Sequence, residues 1–208
     1  MQVAVVLVIL TVAAEELRVL LIQRSGEPYV GWWALPGGLL RPSESLAAAA
    51  ARKLGDETGV TDVYLEQLYS FDGLDGAASS FAVTYFALVD SSRVRLRPEA
   101  TWEPAWHAVA QLPPLAFDNQ SVVDYALTRL RNKLEYTNVA YSLMPAAFTL
   151  SDLQAVYESI FGRSFDKRNF RRRMLSQGII RPTGQTAARG AHRPAELYEF
   201  SSRQPMVL

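Results

Sequence analysis

Residues 38–60 read GLLRPSESLAAAAARKLGDETGV, and no other stretch restricts the fold as tightly. Pro42 and Ser43 stand before a run of helix formers and Gly59 ends it. The pattern predicts a helix from Ser43, as N-cap, to about Thr58. Gly55 inside it weakens the helix by roughly 1 kcal/mol relative to Ala. Charged residues are spread along the segment at Glu44, Arg52, Lys53, Asp56 and Glu57. Positions 53 and 57 lie one turn apart and are neighbours on the helix surface. Strand-like segments flank this helix at about 3–12, 17–23, 62–71, 81–89 and 104–110. The apolar run Val3–Ala14, broken by Thr11, has no basic leader and is too short to span a bilayer; it reads as the start of a hairpin of buried strands. A second helix is predicted over Asn119–Tyr136, where Val122, Val123, Ala126, Leu127, Leu130 and Leu134 recur at helical spacing. Strands interrupted by two helices indicate a layered α/β (α+β) domain.

The same stretch follows the pattern G-x5-E-x7-R-E-U-x-E-E-x-G-U, with U a bulky apolar residue. Gly38, Glu44, Arg52, Glu57 and Gly59 fall in place, Leu54 and Val60 fill two U positions, and GWWALPGG leads in. It resembles the Nudix box. The resemblance implies a Nudix-type α/β/α sandwich. In an intact box, carboxylates on one helix face hold divalent ions of the Mg²⁺ type, which bridge a diphosphate and activate water. Here Lys53 replaces one of the acids and Asp56 shortens another. A cation about 4 Å from such an ion costs on the order of several kcal/mol even at an effective dielectric of about 20. Lys53 also stands ready to pair with Glu57. The expectation is a pocket without catalytic residues and with no required cofactor, Asp56 and Glu57 being the remaining candidates for Mg²⁺. Arg41, Glu44, Arg52, Lys53, Asp56 and Glu57 would meet a nucleotide diphosphate effector. The alternative is an active Mg²⁺-dependent pyrophosphohydrolase of ADP-ribose-like substrates.

The net charge is zero, but its distribution is uneven. Residues 1–149 hold 11 Lys/Arg against 16 Asp/Glu, whereas residues 150–208 hold 10 against 5. Within 163–193 nine basic residues face one acid, Asp166, which points to a polyanionic partner for this end. The absence of cysteine excludes disulfides and thiolate metal sites and suits a cytoplasmic location. After Tyr136 the pattern changes. A helix from Thr149 or Leu150 to Phe161, a short turn, a helix over Asp166–Gln177 and two short strands, IIRP and AELYEF, describe a winged helix-turn-helix. Two domains are expected, 1–136 and 137–208. In FDKRNFRRRMLSQG, Phe170 and Met174 share a line flanked by Leu175 and should face the core, leaving Arg168, Asn169, Arg172 and Arg173 on the opposite side. Arg and Asn are the side chains that pair bidentately with guanine and adenine edges. Lys167, Arg181, Arg189, His192 and Arg193 are placed to hold phosphates. Arg171, beside the apolar stripe, is read as structural.

A Nudix-like domain joined to a winged helix resembles the Nudix-related transcriptional regulators of NAD metabolism (NrtR). The resemblance covers nearly the whole chain and is most specific in LPPLAFDNQ, FTLSDLQAVYESIFGRSFDKRNFRRRML and RPAELYEF. It implies a bacterial homodimeric repressor of NAD synthesis or salvage genes. The implied partners are a palindromic operator in double-stranded DNA and an ADP-ribose-like nucleotide effector; no membrane is involved. Two departures stand out. Residues 71–89 lack the Arg-Asp-Pro-Arg-like stretch that members often carry before this strand, and Asn119 replaces a usual His.

Overall fold

The computed structural model describes residues 2–61, 63–72, 80–96, 102–187 and 194–208. The chain opens with a hairpin of β1 (Gln2–Ala13) and β2 (Glu16–Arg24). Ala14 and Glu15 connect them at φ 52° and 61°, the two left-handed residues of a primed turn that matches strand twist. Then follow β3 (Trp33–Ala34), β4 (Gly37–Leu39), α1 (Leu46–Thr58), β5 (Tyr64–Asp72), β6 (Ser80–Leu88), β7 (Trp102–Ala108) and α2 (Asn119–Tyr136). The seven strands form one mixed sheet in the order β3-β2-β1-β6-β5, with β4 against β1 and β7 against β2. Only β1 and β6 run parallel.

Burial on both faces explains the unbroken apolar run of β1. Val5, Leu7 and Ile9 pack with Ala49, Ala50 and Leu54 of α1, whereas Val8 and Leu10 pack with Val122, Val123 and Leu130 of α2. This is the α/β/α sandwich expected from the sequence. Gly37 is required where β4 crosses β1: a Cβ there would lie 3.0 Å from the Val5 carbonyl oxygen and 3.2 Å from Val6 Cγ2.

One boundary moves. Ser45, not Ser43, caps α1, its side chain accepting from Ala48 N at 3.2 Å, while Ser43 sits outside the helix at φ 63°. The cause is Glu44, whose N–H donates to the Arg41 carbonyl at 3.2 Å in a tight turn that aims the carboxylate back along the helix. The short strands β3 and β4 and the 3₁₀ turns at Ser91–Arg93, Val109–Gln111 and Val139–Leu143 add to the elements that the sequence pattern predicts.

The second half contains β8 (Phe148–Thr149), α3 (Leu150–Phe161), α4 (Lys167–Ser176), β9 (Ile180–Ala187) and β10 (Ala195–Phe200), with strand order β8-β10-β9. Thr149 and Asp152 form a capping box at the start of α3, and Gly162 ends the helix at φ 66°. Asp166 lies just outside α4 because it serves as its cap, accepting from Asn169 N at 2.8 Å. Phe170 and Met174 face inward as expected, but Leu175 is 39% exposed, so the buried stripe is one residue narrower than the sequence suggested.

The connection between the halves is tied down. Asn138 Nδ2 donates to the carbonyls of Ser202 and Gln204, each at 3.0 Å, and its Oδ1 accepts from Met206 N at 2.8 Å. Arg203 donates to the carbonyls of Tyr141 and Met144 at 2.7 and 2.8 Å. One apolar cluster runs from Val8 and Leu10 through Leu130 and Leu134 to Phe148, Tyr157, Phe170 and Met174. No helix among the described residues is long and apolar enough to cross a membrane.

Candidate functional sites

The charged residues of the 38–60 segment are engaged with one another. Arg52 donates through Nε to Glu44 Oε1 at 2.7 Å and through Nη2 to Oε2 at 2.9 Å, a bidentate pair, and lies 3.6 Å from Asp56. The Arg52 guanidinium holds the Glu44 carboxyl well below the usual carboxylate range, at about 2. A group depressed in this way adds stability that is fully present above its unfolded value near 4.5 and is lost as pH falls through about 2. Urea melts across that window should show the loss, and Glu44→Gln should flatten it; an identical acid limb in the variant would mean that the pair contributes nothing.

Lys53 turns inward. It is 8% exposed, and its Nζ lies 3.1 Å from Glu57 Oε1, with Glu57 only 1% exposed. An ammonium thus sits against the carboxylate that a divalent ion would need. Among the described residues no three His, Cys, Asp or Glu side chains gather in a way that could hold an ion. The donor set does not fit a Nudix metal. Of the six side chains expected to meet an effector, Arg41 and Asp56 are exposed and Arg52, Glu44, Lys53 and Glu57 are paired within the segment.

A cavity of this domain lies beside the segment. It encloses about 300 Å³ between the starts of β1 and β6, β4, and the Phe117–Asn119 corner. Its walls include Val6, Leu39, Phe81 and Phe117, and its polar side chains are Arg24 and Asn119. Gly38 joins cavity to segment: a Cβ there would lie 3.8 Å from Lys53 Cε. Arg24 donates to the Pro28 carbonyl at 2.9 Å and lies 4.8 Å from the centre of the Phe117 ring. Tyr29 meets Trp32 and Phe117 edge-on at 5.5 and 5.0 Å, an exposed aromatic rim. Phe117 holds φ 57°, a conformation that costs of order 1–3 kcal/mol outside glycine and is concentrated at ligand sites. Sequence reasoning assigned no role to these residues, although LPGG and AFDNQ were visible as distinctive stretches.

The second site is α4. Lys167, Arg168, Asn169, Arg172 and Arg173 are all exposed. Arg172 donates to Asn169 Oδ1 at 3.1 Å, which orders both on one turn. Beneath them Phe170 packs edge-on against Tyr157 at 5.2 Å, fixing the helix on α3. Arg171 faces the module instead, donating to Tyr198 Oη at 3.0 Å. Arg181, expected at phosphates, pairs with Glu199 at 2.7 Å. Arg189, His192 and Arg193 lie outside the described residues. A basic helix supported on a partner helix, beside a two-stranded wing, is the arrangement that places side chains in a major groove.

Comparison with known proteins yields two family matches: a NUDIX domain over residues 1–126 and an NrtR DNA-binding winged helix domain over residues 140–200. The chain is 40% identical over 199 residues to the ADPR responsive transcriptional repressor NtrR of Acinetobacter baylyi, covering 93% of this chain and 79% of that one. It is similar to the crystal structure of Shewanella oneidensis NrtR complexed with a 27mer DNA, with a TM-score of 0.85 and 33% identity over 96% of this chain and 93% of that one. The NUDIX domain of the same Shewanella protein, solved with ADP ribose, matches 62% of this chain and 87% of its own at a TM-score of 0.55 and 34% identity.

Proposed function

Because the chain belongs to the NrtR family, we propose that it is an ADP-ribose responsive transcriptional repressor. It grips operator DNA with α4 and the wing and binds an ADP-ribose-like nucleotide in its Nudix half. The observation that carries this is the row of five exposed basic or amide side chains on α4. It acts in the cytoplasm as a homodimer at genes of NAD synthesis or salvage. Two-fold symmetry then calls for a palindromic operator with half-sites about one or two helical turns apart. Nucleotide and DNA binding are linked and reciprocal: each changes the affinity for the other by the same factor. Release of DNA by the nucleotide is the direction that makes such a repressor responsive.

The degenerate box fits a receptor better than a hydrolase. Lys53 supplies, within the protein, positive charge that an enzyme of this fold takes from a bound ion. Domains 1–136 and 137–208 divide the labour, with the buried 3₁₀ turn at Val139–Leu143 as their junction.

The test uses a labelled duplex from the protein's own operon region, titrated at several salt concentrations with and without ADP-ribose. Binding should fall steeply with salt, with a slope of about −0.9 per phosphate contact, and ADP-ribose should release the duplex. A scrambled duplex that binds equally well at moderate salt would overturn the proposal. Incubated with ADP-ribose and Mg²⁺, the protein should show no multiple turnover, whereas Lys53→Glu should gain affinity for Mg²⁺. Sustained turnover by the natural sequence would point to the hydrolase instead.

A further inference from the structure

The cavity beside the box is lined by a polar atom whose purpose the fold does not explain. Asn119 is 3% exposed, opens α2 and lines the cavity. Its Oδ1 accepts from the Leu35 backbone N–H at 2.7 Å, which fixes the amide orientation, since an N–H can donate only to the oxygen. Among the described residues the amide nitrogen Nδ2 has no hydrogen-bond partner. With its oxygen turned to Leu35, that NH₂ is the polar group Asn119 presents to the cavity. The other polar side chain there, Arg24, donates through Nε to the Pro28 carbonyl and through Nη2 to those of Gly26 and Glu27, with its guanidinium 4.8 Å from the Phe117 ring centre. Around Asn119 the walls are apolar or aromatic, Val6, Leu39, Phe81 and Phe117 among them.

A donor on a side chain this buried, with no protein partner of its own, is available for use by a ligand. The walls limit what that use can be. A free ribose brings many hydroxyls against apolar walls and finds few partners there. A flat heteroaromatic ring with an in-plane acceptor suits such a place: its faces meet the apolar walls, and its acceptor takes an N–H of the Asn119 amide. A cavity of about 300 Å³ is at the lower end of what small-ligand sites use. We infer that Asn119 is the residue that selects the nucleobase: its Nδ2 donates to a ring nitrogen of the effector's adenine, seated between Phe81 and Phe117. The diphosphate then leads out past Gly38 toward the box. The inference rests on the proposed function and names the contact that would make the response specific for an adenine nucleotide.

Asn119→Asp is the sharpest variant. Asp keeps an oxygen for the Leu35 N–H, and so keeps the corner, but replaces the donor by a second acceptor. Calorimetry on the full-length protein should show ADP-ribose binding weakened about tenfold to hundredfold, with operator binding in the absence of nucleotide unchanged. Independently of any substitution, one of the 1-deaza, 3-deaza and 7-deaza analogues of ADP-ribose should lose a comparable factor on the natural protein and lose no more on the variant. That ligand series decides the matter even if the variant fails to fold. Should the Asp variant bind ADP-ribose within twofold of the natural protein, or all three analogues bind as ADP-ribose does, the assignment of Asn119 is wrong while the regulator remains. Failure of the natural protein to bind ADP-ribose at all would instead remove the proposed function beneath it.

Discussion

Alanine at both Arg168 and Arg172 is expected to weaken operator binding by roughly 2–6 kcal/mol, about 30-fold to 10⁴-fold, because each bidentate base contact is worth about 1–3 kcal/mol of discrimination. Both side chains are exposed on α4, and neither forms an ion pair among the described residues. Their removal therefore leaves the helix in place; Phe170 and Met174 still hold it. Thermal melting should be unchanged within the range ordinary for surface sites, about 0.5 kcal/mol. Arg171→Ala is the contrasting control. Its loss severs the bond to Tyr198 and should reduce stability while sparing sequence preference. Fluorescence anisotropy against operator and scrambled duplexes distinguishes the two. A double variant that still prefers the operator by the original factor would place recognition elsewhere.

Lys53→Met should destabilise the fold by about 3–5 kcal/mol, the cost of leaving a buried carboxylate without its counter-charge. Glu57 is 1% exposed and Lys53 8%, so water cannot take over the role. Against a total stability of about 5–15 kcal/mol for a domain this is a large fraction. Lys53→Met combined with Glu57→Leu removes both charges and should recover most of the loss, since well-packed apolar replacements of buried pairs are often neutral. Urea unfolding of the two variants measures the difference. If the single variant unfolds at the natural midpoint, the ammonium is not what compensates Glu57.

Elements set by local rules were legible in the sequence. α2 spans Asn119–Tyr136 as its apolar spacing indicated, and the turn between α3 and α4 falls where the sequence placed it. The exposed face of α4 could be read from residue order alone, because helical geometry decides it. What escaped detection depends on distant partners. β3 and β4 are two and three residues long and exist because β2 and β1 pair with them, Ile22 with Ala34 and Val5 with Gly38. Ser43 looked like a cap, but Glu44 is drawn to Arg52 eight positions on. The cavity was hidden for the same reason: Asn119 acquires its orientation from Leu35, 84 positions earlier in the chain. From AFDNQ alone it is an ordinary first residue of a helix.

The uninterrupted apolar interior described above has a mechanical consequence. Swinging α3 and α4 away from the sheet would wet Leu134, Phe148 and Tyr157, at about 25 cal/mol for every Å² uncovered. The two halves share that interior, so urea is expected to unfold them in a single transition rather than two.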